Sequence, residues 1–231
     1  TGEGTATVTN ALLVTSNGAG MGHLSRQLSV ALAGGAGNTA VLLSLSLALP
    51  QVLGMGVPGE YCPSYARDVM PRYFWNRYFR TRLVALGEET GADALVFDGV
   101  APYRGLLSTR QLLPHVAFVW MRRGMWVEGR GEPFLRKSPW FDAILEPGDL
   151  GIAADRGLTR DRTDAARIPP VSMLGVVPRI PRADAAVALG LEPDRPTMLV
   201  TLGTGRLGDV ATPGRVGLDT LLAETSWQIA V

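Results

Sequence analysis

Residues 11–32 read ALLVTSNGAGMGHLSRQLSVAL, and this stretch decides the fold. Its first five residues form an apolar run with one polar end, which predicts a buried strand. Gly18, Gly20 and Gly22 then alternate through a loop that we expect to be too tight for any side chain. His23 ends the loop, and the apolar residues behind it recur at helical spacing: Leu24, Leu28, Ala31 and Leu32. This order brings a helix N-terminus and backbone N–H groups to a sheet edge, which suits an anionic or hydroxyl-rich ligand.

Two common glycine-loop sites do not fit this stretch. A dinucleotide fingerprint needs the spacing G-x-G-x-x-G and an acidic residue about twenty positions later. Residues 18–23 instead read GAGMGH, and the second predicted strand ends LSLS at residues 43–46, without an acid. A P-loop is excluded because no Gly-Lys pair follows the glycines.

Composition narrows the class of protein. The chain has 231 residues, of which 46% are hydrophobic, so a substantial core is expected. Its net charge of +1 gives no global attraction to nucleic acid, and a single cysteine, Cys62, excludes an internal disulfide. The sequence shows neither a signal peptide nor an apolar run long enough to cross a bilayer. We therefore expect a cytoplasmic protein.

Strands and helices alternate along the first 150 residues. Helices are predicted at 71–89, closed by Gly91, and at 103–113. The further strands are predicted at 39–45, 94–97, 115–121 and 143–145. Buried strands that alternate with helices predict an α/β protein with a Rossmann-like parallel sheet and helices on both faces. Ligands of such sheets bind beyond the carboxyl ends of the strands, where His23, Asp98 and Arg122 are expected.

A second, incomplete domain is predicted to follow the first. Residues 1–175 form the first domain, and the proline-rich segment 176–195 reads as a linker. Residues 196–231 then give a strand at 197–202, a helix at about 214–223 and a strand at 227–231, which is the start of a second Rossmann-like domain. Two strands cannot make a stable domain, so we expect this domain to be truncated.

The sequence NGAGMGHLSR at residues 17–26 resembles the first loop of glycosyltransferases with the two-domain GT-B fold. The likeness is greatest to family 28, typified by the peptidoglycan N-acetylglucosaminyltransferase, and to family 1. The sequence LVTLGTGR at residues 199–206 resembles the loop that opens the donor domain of these enzymes. The resemblance implies an inverting transfer from a nucleotide sugar, UDP-linked in most of the family, to an acceptor hydroxyl. The chain by itself is expected to be inactive, because the later donor motifs lie beyond Val231.

The resemblance makes His23 the candidate general base, which would take the proton of the acceptor hydroxyl. Two alternatives stay open for His23: a role in acceptor binding, and a purely structural role at the start of a helix. Asp98 is the candidate partner that orients His23, although Asp-Gly after a strand is also ordinary turn chemistry.

The remaining site residues fall into two groups. The acceptor is expected to contact Gly20, Met21 and Gly22 in the first loop, and a cationic and aromatic lip made of Arg122, Arg123 and Trp126. A solvated loop is the alternative for that lip. The donor phosphates are expected to contact Thr201, Gly203, Thr204, Gly205 and Arg206 through backbone N–H groups. No Asp-x-Asp pair occurs in the sequence, so no cofactor or metal is predicted.

Two rival functions stay open. A sugar-nucleotide epimerase shares the fold and would convert its substrate without an acceptor. A non-catalytic acceptor-binding subunit is the second rival. The expected partners are a nucleotide-sugar donor and a small-molecule or lipid-linked acceptor. The aromatic residues of the helix at 71–89 are expected in the core, or alternatively against a membrane surface: Tyr73, Phe74, Trp75, Tyr78 and Phe79.

Overall fold

The structure is a computed structural model that describes residues 9–16, 20–35, 37–65, 70–201 and 211–230. Seven strands of the described chain form one sheet: β1 (Asn10–Thr15), β2 (Thr39–Ser44), β3 (Gly59–Tyr61), β4 (Ala94–Asp98), β5 (Ala117–Met121), β6 (Ala143–Pro147) and β7 (Ala166–Ile168). The helices between them are α1 (Gly22–Ala33), α2 (Leu49–Leu53), α3 (Arg72–Glu89), α4 (Arg104–Thr109) and α5 (Glu132–Leu135). The strands are all parallel, in the order β3-β2-β1-β4-β5-β6-β7.

Two apolar clusters cover the two faces of the sheet. Leu13 of β1 packs with Leu24 and Leu28 of α1 on one face. Its neighbours Leu12 and Val14 belong to the second cluster, with residues of α3 and α4. Successive residues of a strand point to opposite faces, so a central strand with both faces covered must be apolar throughout. The predicted α/β Rossmann-like sheet with helices on both faces is therefore confirmed.

The strand register brings the ends of the central strands to one level. Thr15 at the end of β1 lies opposite Ser44 of β2 and Asp98 of β4. Asp98 in turn lies opposite Met121 of β5. Residues that end these strands, or follow directly after them, therefore meet at one edge of the sheet.

Local differences from the predicted elements have simple causes. The helix expected at 103–113 ends at Thr109, and its remaining residues form turns before Pro114. His115 lies outside β5, which begins two residues later. Strand β7 was not predicted: it has three residues, largely exposed, with Arg167 at its centre, and so lacks the apolar pattern of a buried strand.

The aromatic residues of α3 divide between the core and the surface. Trp75 and Phe79 are buried and stack with ring centroids 4.9 Å apart, as residues one helical turn apart can do. Tyr73 and Phe74 are 66% and 58% exposed, and Tyr78 is also exposed. The expectation of a core position thus holds for two of the five residues.

Contacts divide the chain into two compact units, Thr1–Val176 and Val177–Val231. The second unit holds α6 (Arg182–Ala188), β8 (Thr197–Leu199), α7 (Ala211–Glu224) and β9 (Gln228–Ala230). Strands β8 and β9 pair in parallel, with α7 between them in the chain. The division into a linker at 176–195 and a donor domain from 196 stays a prediction.

Candidate functional site

A histidine and an aspartate meet at the edge where β1 and β4 end. His23 is the second residue of α1, and Asp98 is the last residue of β4. Because β1 lies beside β4 and α1 follows β1, the two side chains come together, with His23 Nδ1 2.7 Å from Asp98 Oδ1. Asp98 is fully buried, whereas one fifth of the His23 side chain is exposed. The sequence placed both residues past strand ends, and the structure brings them into direct contact.

Arg26 completes this cluster, and the sequence analysis missed it. Its Nε donates to Asp98 Oδ2 at 2.6 Å and its Nη2 donates to Asp98 Oδ1 at 2.7 Å. A guanidinium and a carboxylate joined by two parallel hydrogen bonds form a strong, directional ion pair. The available signal was the helical spacing, since Arg26 lies three residues after His23 and therefore on the same face of α1.

The hydrogen bonds decide which nitrogen of His23 carries a proton. Both oxygens of Asp98 accept hydrogen bonds from Arg26, and the oxygens of such a carboxylate act only as acceptors. Nδ1 of His23 must therefore donate to Asp98, which leaves the lone pair of the neutral ring on Nε2. Arg26 Nη2 lies 3.3 Å from Nδ1, but two donors cannot bond to each other. The arrangement thus places a proton on Nδ1 of His23, so in the neutral ring Nε2 is the nitrogen that can accept a proton.

The sheet edge around Asp98 is tightly packed. The backbone N–H of Ser16 donates to the carbonyl of Asp98 at 2.9 Å. A Cβ at Gly99 would lie 2.6 Å from both Ser16 Cβ and Phe97 Cζ, so only glycine fits there. The hydroxyls of Thr15 and Ser44 are buried 2.7 Å apart at the same edge. These contacts hold the end of β4, and with it Asp98, in place.

The first loop is less crowded than the sequence suggested. A Cβ at Gly22 would meet no heavy atom within 4 Å, so the expectation that no side chain has room is wrong at this position. Gly20 and Met21 are exposed. Gly18 lies outside the described residues. Open space beside His23 is compatible with the predicted contact of Gly20, Met21 and Gly22 with an acceptor, which stays a prediction.

Arg122 occupies the core and not a lip. Its side chain is 0% exposed. Its Nη2 lies 3.0 Å from Asp164 Oδ1 and 3.2 Å from Glu146 Oε2, and the guanidinium carbon lies 5.5 Å from the Trp120 ring centroid. Arg122 therefore belongs neither to an acceptor-binding lip nor to a solvated loop, the two positions predicted for it. Sequence reasoning had no means to place Asp164 against Arg122, and we leave Arg122 out of the proposed site.

Arg123 and Trp126 lie beside a small apolar cavity of about 260 Å³, which Val100, Met125 and Phe134 also line. Arg123 is exposed, as expected for a residue of the predicted acceptor-binding lip. Trp126 is mostly buried and its Nε1 donates to the carbonyl of Arg123 at 2.6 Å. The two residues therefore border a cavity just past the ends of β4 and β5, and their contact with an acceptor stays a prediction.

The predicted donor residues are mostly outside the described part of the chain. Thr201 is exposed after β8. Gly203, Thr204, Gly205 and Arg206 lie outside the described residues. Within the described residues no group of three or more metal-ligating side chains occurs. None of the described helices is both long enough and apolar enough to cross a membrane.

This order of parallel strands, with helices on both faces, is Rossmann-like. The match to solved structures confirms the resemblance to GT-B glycosyltransferases of families 28 and 1 at the level of fold. No protein-family model matches the sequence, and no curated protein matches it. The likeness of this chain to known proteins therefore rests on the solved structures.

Three of these structures represent the matches. Phytolacca americana UGT2, complexed with UDP-2-fluoro-glucose and pterostilbene, is 14% identical with a TM-score of 0.60, and the match covers 96% of this chain and 66% of that one. Acinetobacter baumannii MurG is 13% identical with a TM-score of 0.55, covering 96% and 67%. A UDP-GlcNAc 2-epimerase from Neisseria meningitidis, bound to UDP-GlcNAc, is 11% identical with a TM-score of 0.55, covering 95% and 64%.

The chain thus spans about two thirds of the length of these structures. At such low identity the likeness shows the fold, whereas activity must be argued from the site.

Proposed function

We propose that this chain is the acceptor-binding part of an inverting glycosyltransferase, which moves a sugar from a UDP-sugar to an acceptor hydroxyl. The contact of His23 with Asp98, which Arg26 holds by two hydrogen bonds, carries the proposal. It is supported by solved structures of the same fold that hold UDP-linked sugars. Because the chain spans about two thirds of the length of these structures, sugar transfer is proposed for the whole protein.

The proposed step uses His23 as a general base. Nε2 takes the proton of the acceptor hydroxyl while the acceptor oxygen attacks the anomeric carbon. The bond from that carbon to the nucleotide diphosphate breaks on the opposite face, and the diphosphate leaves with the electron pair. Asp98 stabilises the imidazolium that forms and keeps Nδ1 protonated.

Arg26 acts as a positioning residue. It holds the Asp98 carboxylate by two hydrogen bonds, and the carboxylate orients the imidazole of His23. Its charge also offsets that of Asp98, which limits how strongly the carboxylate stabilises an imidazolium. The sequence contains no Asp-x-Asp pair, so the proposal assigns charge stabilisation of the leaving group to backbone N–H groups of the second unit.

The experiment measures sugar transfer from a panel of UDP-sugars to a panel of acceptors by mass spectrometry. His23→Gln is expected to lower kcat about 10²- to 10⁴-fold, the usual range for loss of a general base. His115→Gln is the matched control, because it makes the same change at an exposed histidine. Turnover of His23→Gln near that of the unchanged protein would remove His23 from this role.

Arg26→Gln tests the positioning role by a separate readout. We expect kcat to fall and the acidic limb of the pH–rate profile to move to higher pH, because the Asp98 charge is no longer offset beside His23. A merely structural role for Arg26 would lower the amount of folded protein and leave the profile in place.

The epimerase is the second candidate, because epimerases of the same fold are among the matched structures. Conversion of UDP-GlcNAc in the absence of any acceptor, followed by proton NMR of the sugar, would favour it over transfer. Binding of an acceptor without any turnover would favour the non-catalytic subunit.

A cytoplasmic location and a peripheral membrane contact are also proposed. Tyr73 and Phe74 are exposed on α3, and Arg77 lies 5.8 Å from the Tyr73 ring centroid, so aromatic and cationic groups share one surface. Co-sedimentation with anionic vesicles, lost in a Tyr73→Ser/Phe74→Ser variant, is the expected result.

A further inference from the structure

A cavity of about 630 Å³ lies between the first turn of α3, residues 101–104 after β4, and the end of the loop that carries α5. Tyr65, Trp75 and Tyr103 form part of its wall: the ring centroid of Trp75 lies 5.6 Å from that of Tyr65 and 5.1 Å from that of Tyr103. Phe134 lines this cavity and also the apolar cavity beside Trp126. The aromatic wall suits a flat ring or the apolar face of a sugar.

The charged groups of the cavity all have the same sign. Arg72, Arg104 and Lys137 line it, and the described lining contains no carboxylate. Arg72 lies over the Tyr65 ring, 4.8 Å from its centroid. The side chain of Arg104 makes no hydrogen bond or ion pair with any described residue, in contrast to the arginines that pair with carboxylates elsewhere in this unit. Three cations in one aromatic cavity, with no carboxylate among the described residues that line it, favour an anion.

Lys137 is the only lysine of the chain. Its Nζ donates to the carbonyl of Pro102 at 2.5 Å and lies 5.5 Å from the Phe134 ring centroid. Burial, together with the charge of Arg104, lowers the pKa of Lys137. A lysine held among other cations by one neutral carbonyl has two N–H groups left for a ligand.

We propose that this cavity binds an organic anion, a phosphate or carboxylate carried on an aromatic or sugar ring. The cations would hold the anionic group and the aromatic wall would stack on the ring. This rests on the proposed function only in so far as the ligand is taken to be the glycosyl acceptor. The acceptor would then be an anionic compound.

The experiment uses phenyl phosphate as the probe. Inorganic phosphate and phenol, which correspond to its two halves, are the comparison ligands. Titration calorimetry on the chain, without any nucleotide sugar, is expected to give at least tenfold tighter binding for phenyl phosphate than for either half. Arg104→Met is expected to weaken that binding at least tenfold. The substitution leaves the fold intact, because Arg104 is exposed and has no partner among the described residues. Arg136→Met is the matched control, since Arg136 is exposed, lies next to Lys137 and does not line this cavity.

Acetylation of Lys137 gives a second readout that needs no variant. Peptide mass spectrometry follows the modification of this one lysine, and saturating phenyl phosphate is expected to slow it at least fivefold, while phenol leaves it unchanged. Equal binding of phenyl phosphate and either half, or binding that Arg104→Met leaves intact, would overturn the inference. Transfer from a UDP-sugar to neutral acceptors, with no phenyl phosphate bound, would overturn this inference and leave the proposed function standing.

Discussion

Arg122 provides the sharpest test of the buried charge network beside β5 and β6. It is fully buried, and it pairs with Glu146, itself only 4% exposed, and with Asp164. Arg122→Met removes the cation and leaves the carboxylate of Glu146 buried without its partner. Asp164 keeps a second arginine, because Arg162 donates to both of its oxygens at 2.9 and 2.6 Å. The cost of the substitution therefore comes mainly from Glu146.

The expected loss of stability follows from the loss of one ion-pair partner. Removal of one partner of a buried ion pair costs about 3 to 5 kcal/mol, and the remaining partner of Asp164 favours the lower part of that range. For a domain of this size, each kcal/mol lowers the melting temperature by about 2 to 4 °C. The melting temperature of Arg122→Met is therefore expected to fall by at least roughly 6 °C. Tryptophan fluorescence is a suitable probe, because four of the five tryptophans lie in the first unit.

Two control variants separate a buried Arg122 network from an accessible Arg122 in the acceptor lip. Arg123→Met removes the neighbouring exposed arginine and is expected to leave the melting temperature unchanged. Arg122→Met/Glu146→Gln removes both charges, so much of the lost stability is expected to return. An Arg122→Met protein as stable as Arg123→Met would refute the buried network and restore Arg122 as an accessible ligand of the acceptor lip.

Two further predictions concern stability. Gly131 has a φ of 97°, and a Cβ at this position would lie 2.0 Å from Trp126 Cε3. Gly129 also has a positive φ, 68°, but a Cβ there would meet no heavy atom within 4 Å. Gly131→Ala is therefore expected to cost about 1 to 3 kcal/mol more than Gly129→Ala in urea unfolding, and equal costs would contradict the contact. Hydrogen bonds from Arg110 lower the pKa of Asp142 to about 2. Because the pKa is lower in the folded state, the carboxylate contributes stability above pH 4 that is lost as the pH falls to 2. The stability difference between the unchanged protein and Asp142→Asn is expected to disappear over that range, and a difference that stays constant would contradict the pairing. The effect is small, because the pair is partly exposed.

The α/β class of the fold, the strand–loop–helix at its centre and the placement of His23 and Asp98 were all predictable from sequence. The strand at 11–15 and the helix behind it follow from periodicity over a few residues, which local chemistry determines. The meeting of His23 and Asp98 follows from topology, because the carboxyl ends of parallel strands share one edge. Such inferences need only the order of the elements and the residues at their ends.

Only the tertiary structure decided which charges pair. Arg26 holds a carboxylate 72 residues further along the chain, and Arg122 is buried against one 42 residues away. The second carboxylate, Asp164, lies just before the short, largely exposed strand β7, which has no buried apolar pattern to predict its position. Hydrophobic periodicity reports burial of apolar groups alone, whereas a charged residue is buried only when a distant partner compensates its desolvation. The sequence by itself therefore determined the framework of this protein, and long-range packing decided which of its arginines serve the core, the candidate site or a ligand.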